Sequence, residues 1–188
     1  MVGLGNPGPE FEGTRHNVGA EVAGVLAARH HQRLRPEKGT RALAAQARLD
    51  GKLVVVAVPL TYVNESGLAA AALMRRFRVA AVGRLVVVHD ELDLPTGRVK
   101  VKAGGGTAGH NGLKSVHAHV HDAGYVRVRI GIDKPPGRAA GSDYVLRRPS
   151  RAQREALDVA VQVAADAVEV IAGEGVDAAM LRFNTEPG

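Results

Sequence analysis

"GLGNPG", Gly3–Gly8, follows the first apolar residues of the chain and fits the dinucleotide-binding pattern G-x-G-x-x-G letter for letter. In a dinucleotide fold the helix opens inside the glycines, so that its amides face the pyrophosphate, and an acidic residue stands about 20 positions further on. Neither condition is met. Pro7 and Pro9 interrupt the segment, the helical pattern resumes only near His16, and the place for the ribose-binding carboxylate reads "RHHQR", Arg29–Arg33. The stretch is therefore predicted to be a tight turn after a strand, with Pro7 holding Asn6 extended and Gly8 free to take a positive φ.

Outward from that turn, apolar runs predict strands at Met1–Leu4, Leu53–Val58, Leu85–Val88, Val99–Val101 and Val126–Ile132, with a weaker one at Ala42–Leu49. Helical spacing links Val18, Val22, Val25 and Leu26, then Leu68, Ala72 and Phe77, then Leu113, Val116 and Val120. The plainest helix starts at Ser150, where Ser150 and Gln153 form a capping box. It carries the stripe Leu157, Val161, Ala164, Val168 and Ile171 and stops at Gly173. Strands and helices interleave throughout, which predicts an α/β fold: one domain over residues 1–188, with a twisted mixed β-sheet flanked by helices. "DKPPGRAAGS", Asp133–Ser142, reads as a mobile surface loop. "GGGTAGHNG", Gly104–Gly112, is spaced like a P-loop, but His110 and Asn111 replace the required Lys and Ser/Thr. Its glycines still leave room for a polyanion to approach the backbone.

The bulk composition excludes several classes. With 45% hydrophobic residues and no apolar run long enough to span a bilayer, the chain reads as a globular protein away from membranes. It has no cysteine, hence no disulfide framework and no thiol nucleophile, and no charged-then-apolar leader opens it; a cytoplasmic protein is expected. The net charge is +6, concentrated between Pro95 and Ala140 in Arg98, Lys100, Lys102, Lys114, Arg127, Arg129, Lys134 and Arg138. Beyond Ser150 the charge turns acidic, through Glu155, Asp158, Asp166, Glu169, Glu174 and Asp177. A basic middle and an acidic end predict a polarised surface that receives a polyanion. Aromatic residues are only 3%, too few for base stacking to dominate, so phosphates are the expected source of attraction.

Chemistry-bearing side chains gather after the predicted strands. Asn6 follows the first, Asn64 follows "LVVVAVPLTYV", Asp90 follows "LVVVH", and Asn111 follows "RVKVK" and its glycine loop. In open α/β sheets the crevice lies beyond the carboxyl ends of the strands. His16 stands where the first loop enters the first helix. A histidine that takes a proton from water, a carboxylate that fixes its tautomer, and carboxamides that donate to an oxyanion together suit hydrolysis of an activated acyl bond. With no cysteine and no serine in a G-x-S-x-G elbow, water is the expected nucleophile. His117 and His121 would share a helix face, but no further ligand cluster accompanies them, and no metal is expected. His89 and His110 flank the proposed site residues.

The blocks "GLGNPGPEFEGTRHNVG" (Gly3–Gly19), "PLTYVNESG" (Pro59–Gly67), "HDELDLPTGRVKVK" (His89–Lys102), "AGHNGLKS" (Ala108–Ser115) and "YVRVRIGI" (Tyr125–Ile132) together resemble the bacterial peptidyl-tRNA hydrolase family over nearly the whole chain. The resemblance implies cleavage of the ester joining a peptide to the 3′ end of tRNA, which recycles tRNA from abandoned translation. It implies a phosphorylase/hydrolase-like fold and a monomer working without metal or other cofactor. His16 would be the base and Asp90 its partner, and Asn6 would help to discriminate N-blocked substrates. Phe11, Tyr62, Asn64 and Asn111 match positions that contact the 3′ end or the peptide. Lys100, Lys102 and Arg129 match positions that bind phosphates of the acceptor arm. The segment from Gly137 to Tyr144 would be a lid. Phe11 stands where tyrosine is usual, Val63 where methionine is frequent, and Ala108 where glycine is common. Two rival functions are an RNA-binding module that has lost the chemistry and, by fold analogy alone, a phosphorolytic nucleosidase.

Overall fold

A computed structural model describes residues 1–135 and 141–185. Its centre is β1 (Val2–Gly3), flanked in parallel by β4 (Lys52–Pro59) and β5 (Val86–Glu91), with β7 (Val126–Gly131) parallel to β5. Three antiparallel strands complete the sheet: β3 (Ala42–Leu49) on β4, β2 (Arg35–Glu37) on β3, and β6 (Val99–Ala103) on β7. The order across the seven strands is β2-β3-β4-β1-β5-β7-β6, the mixed sheet that the interleaved pattern predicts.

Helices cover both faces because the strands are apolar on both. On one side α1 (Val18–Arg29), α5 (Arg151–Gly173) and α6 (Val176–Asn184) enclose Val22, Val88, Val128, Ile130, Leu157 and Val168. On the other, α2 (Ser66–Arg76) and α3 (Asn111–Val120) press Ala70, Leu113 and Val116 onto Val2, Leu4 and Val87. The Ser150–Gln153 capping box is formed, with Gln153 N–H on Ser150 Oγ at 3.3 Å and Ser150 N–H on Gln153 Oε1 at 3.2 Å.

The first strand has only two residues because α1 crosses it at backbone contact. A Cβ on Gly3 would lie 2.0 Å from Gly19 O, and one on Gly19 would lie 2.3 Å from Val88 O. Ala20 N–H then donates to Leu4 O at 2.9 Å. This crossing brings the turn before α1 over the end of β5.

Several expectations are corrected. β5 continues past Val88 to Glu91, so Asp90 lies within the strand; pairing of Asp90 with Ile130 and Glu91 with Gly131 holds these polar residues in the ladder. β6 runs antiparallel to β7, so its carboxyl end faces away from the other crevice-forming ends, and the glycine loop must cross back to deliver Asn111. α4 (Gly141–Val145) occupies the end of the segment read as loop. Residues 137–140 of the expected lid lie outside the described residues, and 141–144 belong to α4. α6 was not legible either; its Asn184 accepts from Val101 N–H and donates to Val101 O, both at 2.8 Å, and so shields the β6 edge. No helix among the described residues is long and apolar enough to cross a membrane.

The Gly3–Gly19 contact has no room for a methyl group. Gly19→Ala is expected to destabilise the protein by about 2 kcal/mol or more, read as a lowered urea midpoint; an unchanged midpoint would show that α1 can lift off the sheet freely.

Candidate active site

His16 sits in a 3₁₀ turn, Arg15–Asn17, immediately before α1. The turn is held on both sides of the histidine. Arg15, buried, donates from Nη1 to Tyr144 O (3.3 Å), Arg147 O (3.0 Å) and Arg148 O (3.2 Å), and from Nη2 to Gln153 Oε1 at 2.7 Å. Asn17, also buried, accepts from Asn6 N–H at Oδ1 and donates from Nδ2 to Asn6 O, both at 2.9 Å. With both neighbours anchored, the imidazole of His16 is aimed at β5.

There it meets Asp90, which is 2% exposed. His16 Nδ1 lies 2.8 Å from Asp90 Oδ1, and His110 Nε2 lies 2.9 Å from the same oxygen. The roles of the two rings differ, because His110 caps α3: its Nδ1 accepts from Gly112 N–H at 3.1 Å and from Leu113 N–H at 3.4 Å. A nitrogen facing two N–H donors has to offer a lone pair, so the proton of His110 is on Nε2 and points at Asp90. His16 donates from Nδ1, which leaves its Nε2 with a lone pair and no protein partner among the described residues. One imidazole is committed at both nitrogens; the other has a free base.

Electrostatics reinforce the assignment. Burial pushes the Asp90 carboxyl up, but the two imidazoles outweigh burial and hold it well below the usual carboxylate range. Burial pulls His16 down, yet the Asp90 charge and hydrogen bond together leave it raised. His89, fully buried beneath the site, donates from Nδ1 to Asp90 O at 2.7 Å and is pushed down to about 3 by burial and the neighbouring His110, so it stays neutral.

The ligand atoms of His16, Asp90 and His110 lie within 4.8 Å of one another, a spacing that suits a metal ion. The capping bonds argue against one, because His110 Nε2 carries its proton and has no lone pair to give. The other candidate face, His117 with His121, is broken: α3 ends at Val120, and His121 turns left-handed at φ 58°.

A cleft of about 270 Å³ opens over His16, Asp90, His110 and Asn111 and is closed on one side by Gly141, Ser142 and Val145 of α4. A larger depression of about 390 Å³, between the far ends of α2 and α3, holds Arg75, Arg78 and His119 but no base–carboxylate pair. Of the two, the smaller is lined by the hydrogen-bonded His16–Asp90 pair.

The remaining sequence candidates fall in two groups. Asn6 Oδ1 accepts from Val63 N–H at 2.8 Å, which leaves its Nδ2 as a donor. Beside it Phe11 and the exposed Tyr62 pack edge to face, with centroids 6.2 Å apart. Asn64, on the same 3₁₀ turn as Val63, is exposed and makes no side-chain hydrogen bond among the described residues. The second group lies on β6 and β7, where Lys100 is opposite Arg129 and Lys102 opposite Arg127 on one face of the sheet.

The basic middle proves smaller than its sequence count. Arg98 is used on Asn184 O and Thr185 O, Arg127 on loop carbonyls, Arg129 on Glu91 at 3.0 Å, and Lys134 on Asp93 at 2.8 Å; Arg138 lies outside the described residues. Lys100, Lys102 and Lys114 have no carboxylate partner among the described residues. The expected acidic end is largely neutralised where it stands, because Arg29, Arg151, Arg154 and Arg182 pair with Asp166, Glu155, Asp158 and Glu174. Sequence reasoning missed the shared use of Asp90 by His110, the Asn17 clamp and the buried Arg15. Histidine is an uncommon helix cap, and neither buried side chain announces itself in a short turn.

Known proteins resemble the chain along its whole length. A family model described as peptidyl-tRNA hydrolase matches residues 1–188. A protein of that name from Nocardia farcinica is 50% identical over 179 residues, covering 95% of this chain and 92% of its own length. One from Cutibacterium acnes is 44% identical over 195 residues, covering 98% and 97%. The crystal structure of peptidyl-tRNA hydrolase from Acinetobacter baumannii superposes with a TM-score of 0.92 at 32% identity, over 98% of this chain and 93% of that one.

In an NMR titration of the histidine rings, His16 should titrate above the ordinary value of 6.5. In Asp90→Asn the charge is gone and only burial remains, so its midpoint should move to lower pH. A midpoint unmoved by that substitution would mean that Asp90 does not control the ring.

Proposed function

The chain belongs to the peptidyl-tRNA hydrolase family, and we propose that it hydrolyses the ester between a peptide and the 3′ end of tRNA with His16 as the base. The observation that carries this reading is the free Nε2 of His16, open to the cleft while Nδ1 is fixed on Asp90 at 2.8 Å. A water at Nε2 gives up its proton as its oxygen bonds to the ester carbonyl carbon. Asp90 stabilises the imidazolium that forms. Collapse of the tetrahedral intermediate breaks the bond to the ribose oxygen, and the imidazolium returns the proton to that oxygen. General base catalysis contributes roughly 10²–10⁴-fold. A well-placed donor to the oxyanion adds about 3 kcal/mol, and Asn111, at the cleft rim on the first turn of α3, supplies one candidate.

On this reading Asn6 Nδ2, Phe11, Tyr62 and Asn64 meet the peptide and the terminal nucleotide, while Lys100, Lys102 and Arg129 meet acceptor-arm phosphates. Glu91 orients Arg129 through Nε and leaves the two Nη groups for phosphate. The protein would act as a cytoplasmic monomer in recycling tRNA from stalled translation, without a metal. A module that only binds RNA has no use for an aimed base, so the hydrolytic reading is favoured over that rival.

With N-acetylaminoacyl-tRNA as substrate, His16→Ala should lower kcat by at least about 10²-fold while KM changes little; turnover near wild type would remove His16 from its role. Lys100→Ala combined with Lys102→Ala should weaken tRNA binding and flatten its salt dependence by about one unit of slope for each phosphate no longer neutralised. An unchanged slope would place the RNA on another face.

A further inference from the structure

The larger depression, about 390 Å³ between the far ends of α2 and α3, is floored by Ala71, Met74, Val79 and Val120 and carries Arg75 and Arg78. Met74 and Val79 also line a second hollow of about 40 Å³, which adds Phe77 and Leu85 to the floor and Arg84 to the edge. The two hollows form one apolar groove, whose lining holds three arginines and no carboxylate. Their neighbour Arg76 is used on Glu37 at 2.8 Å. Arg75, Arg78 and Arg84 have no ion pair and no side-chain hydrogen bond among the described residues.

Basic side chains at the end of a helix commonly neutralise its last carbonyls. Here the backbone already does so. Phe77 N–H donates to Leu73 O at 2.9 Å, Arg78 N–H to Arg75 O at 3.3 Å, and Val79 N–H to Met74 O at 2.8 Å, which closes α2 without any side chain. Glycine is the usual residue at the place Arg78 holds in such a turn. Arg78 sits there at a φ of +54°, in the region that favours glycine. The fold gains nothing from this guanidinium, and a strained residue that the fold does not need points to a use outside it.

The groove is open, and an open groove covers too little of a small molecule to hold it. An RNA strand has phosphates for the arginines but no apolar group for the floor. A protein segment in which carboxylates stand among aliphatic side chains uses both. Its aliphatic groups fill the floor, where Met74 adapts to their shape, and its carboxylates meet the arginines. α2 follows the turn that carries Asn64, and α3 starts at Asn111, so each helix begins near the cleft and ends at the groove. That separation is roughly 15 Å at 1.5 Å per residue, and an occupant of the groove leaves the cleft open.

We propose that this groove docks an acidic, amphipathic segment of a partner protein, with Arg75, Arg78 and Arg84 as its charged rim. The site is separate from the catalytic one and does not depend on the reaction assigned there.

The test titrates the full-length chain with a fluorescein-labelled peptide of leucine and glutamate, and with a control peptide in which glutamine replaces glutamate. The glutamate peptide should bind saturably, weaken with added salt, and shift the methyl signals of Met74, Val79 and Val120. The glutamine peptide should bind at least about tenfold more weakly, since three rim pairs each contribute up to roughly fivefold. Arg78→Gly should weaken binding roughly threefold while its urea midpoint stays level or rises, because glycine relieves the backbone. Ala80→Glu sets a carboxylate on an exposed part of the lining and should weaken binding without disturbing the fold. Both variants should keep the kcat and KM of the wild type for N-acetylaminoacyl-tRNA. Methyl signals that stay silent, or equal binding of the two peptides, would overturn the proposal. A lowered midpoint in Arg78→Gly would make Arg78 a residue of the fold and overturn its place on the rim. A raised KM in the folded variants would give the groove to the RNA, and self-association of the wild type that Ala80→Glu abolishes would give it to a second copy of the chain; either overturns the partner assigned here.

Discussion

One carboxylate oxygen organises the site. Asp90 Oδ1 accepts from His16 and His110 at nearly equal distances, and burial denies it other partners. Two N–H donors converging on one buried oxygen keep the carboxyl ionised and fix both rings in space. The rings nevertheless differ in what remains to them. His110 spends its second nitrogen on the first amides of α3, whereas the second nitrogen of His16 faces the cleft. The division of labour between two like side chains is set by a helix terminus, because only one of them is needed to cap it.

The fold delivers these groups by close backbone contacts. Gly3 and Gly19 let α1 lie on β1 and β5 without a side chain between them, and that is why the turn before α1 reaches the end of β5 at all. β6 contributes differently. It runs against its neighbour β7, and the loop after it climbs back along the sheet, held by Arg127, to start α3 beside Asp90. The same antiparallel pair lines up Lys100 and Lys102 with Arg129 and Arg127, and this gathers positive charge on the face next to the cleft.

Much of this is legible in the residues. The prolines of the opening turn rule out a dinucleotide site, the capping box marks the start of α5, and of the four polar residues that follow apolar runs Asp90 and Asn111 line the cleft. Other parts are hidden for identifiable reasons. The alternation in "VRVRI" reads as one solvent face, yet Arg127 is buried because the glycine loop that follows the neighbouring strand β6 folds over it. Charge counts cannot see that most acidic residues after Ser150 sit one helical turn from, or directly across from, an arginine. β2 and α4 are too short to show a period, and α6 is mixed in character, with exposed Leu181 beside buried Ala179. Apolar patterning puts Asp90 just beyond its strand because a polar residue in a fully buried ladder goes against pattern; its hydrogen bonds to His16 and His110 are what make that position tolerable.

The Asn17 carboxamide has a consequence for how this region tolerates change. By bonding both the N–H and the C=O of Asn6, eleven residues earlier, it closes the intervening chain into a ring fastened at its base. The crown of that ring, around Glu10 and Glu12, is exposed and bears no part of the fastening. Extra residues grafted there would enlarge the hoop while its clasp, and the imidazole next to the clasp, stayed put.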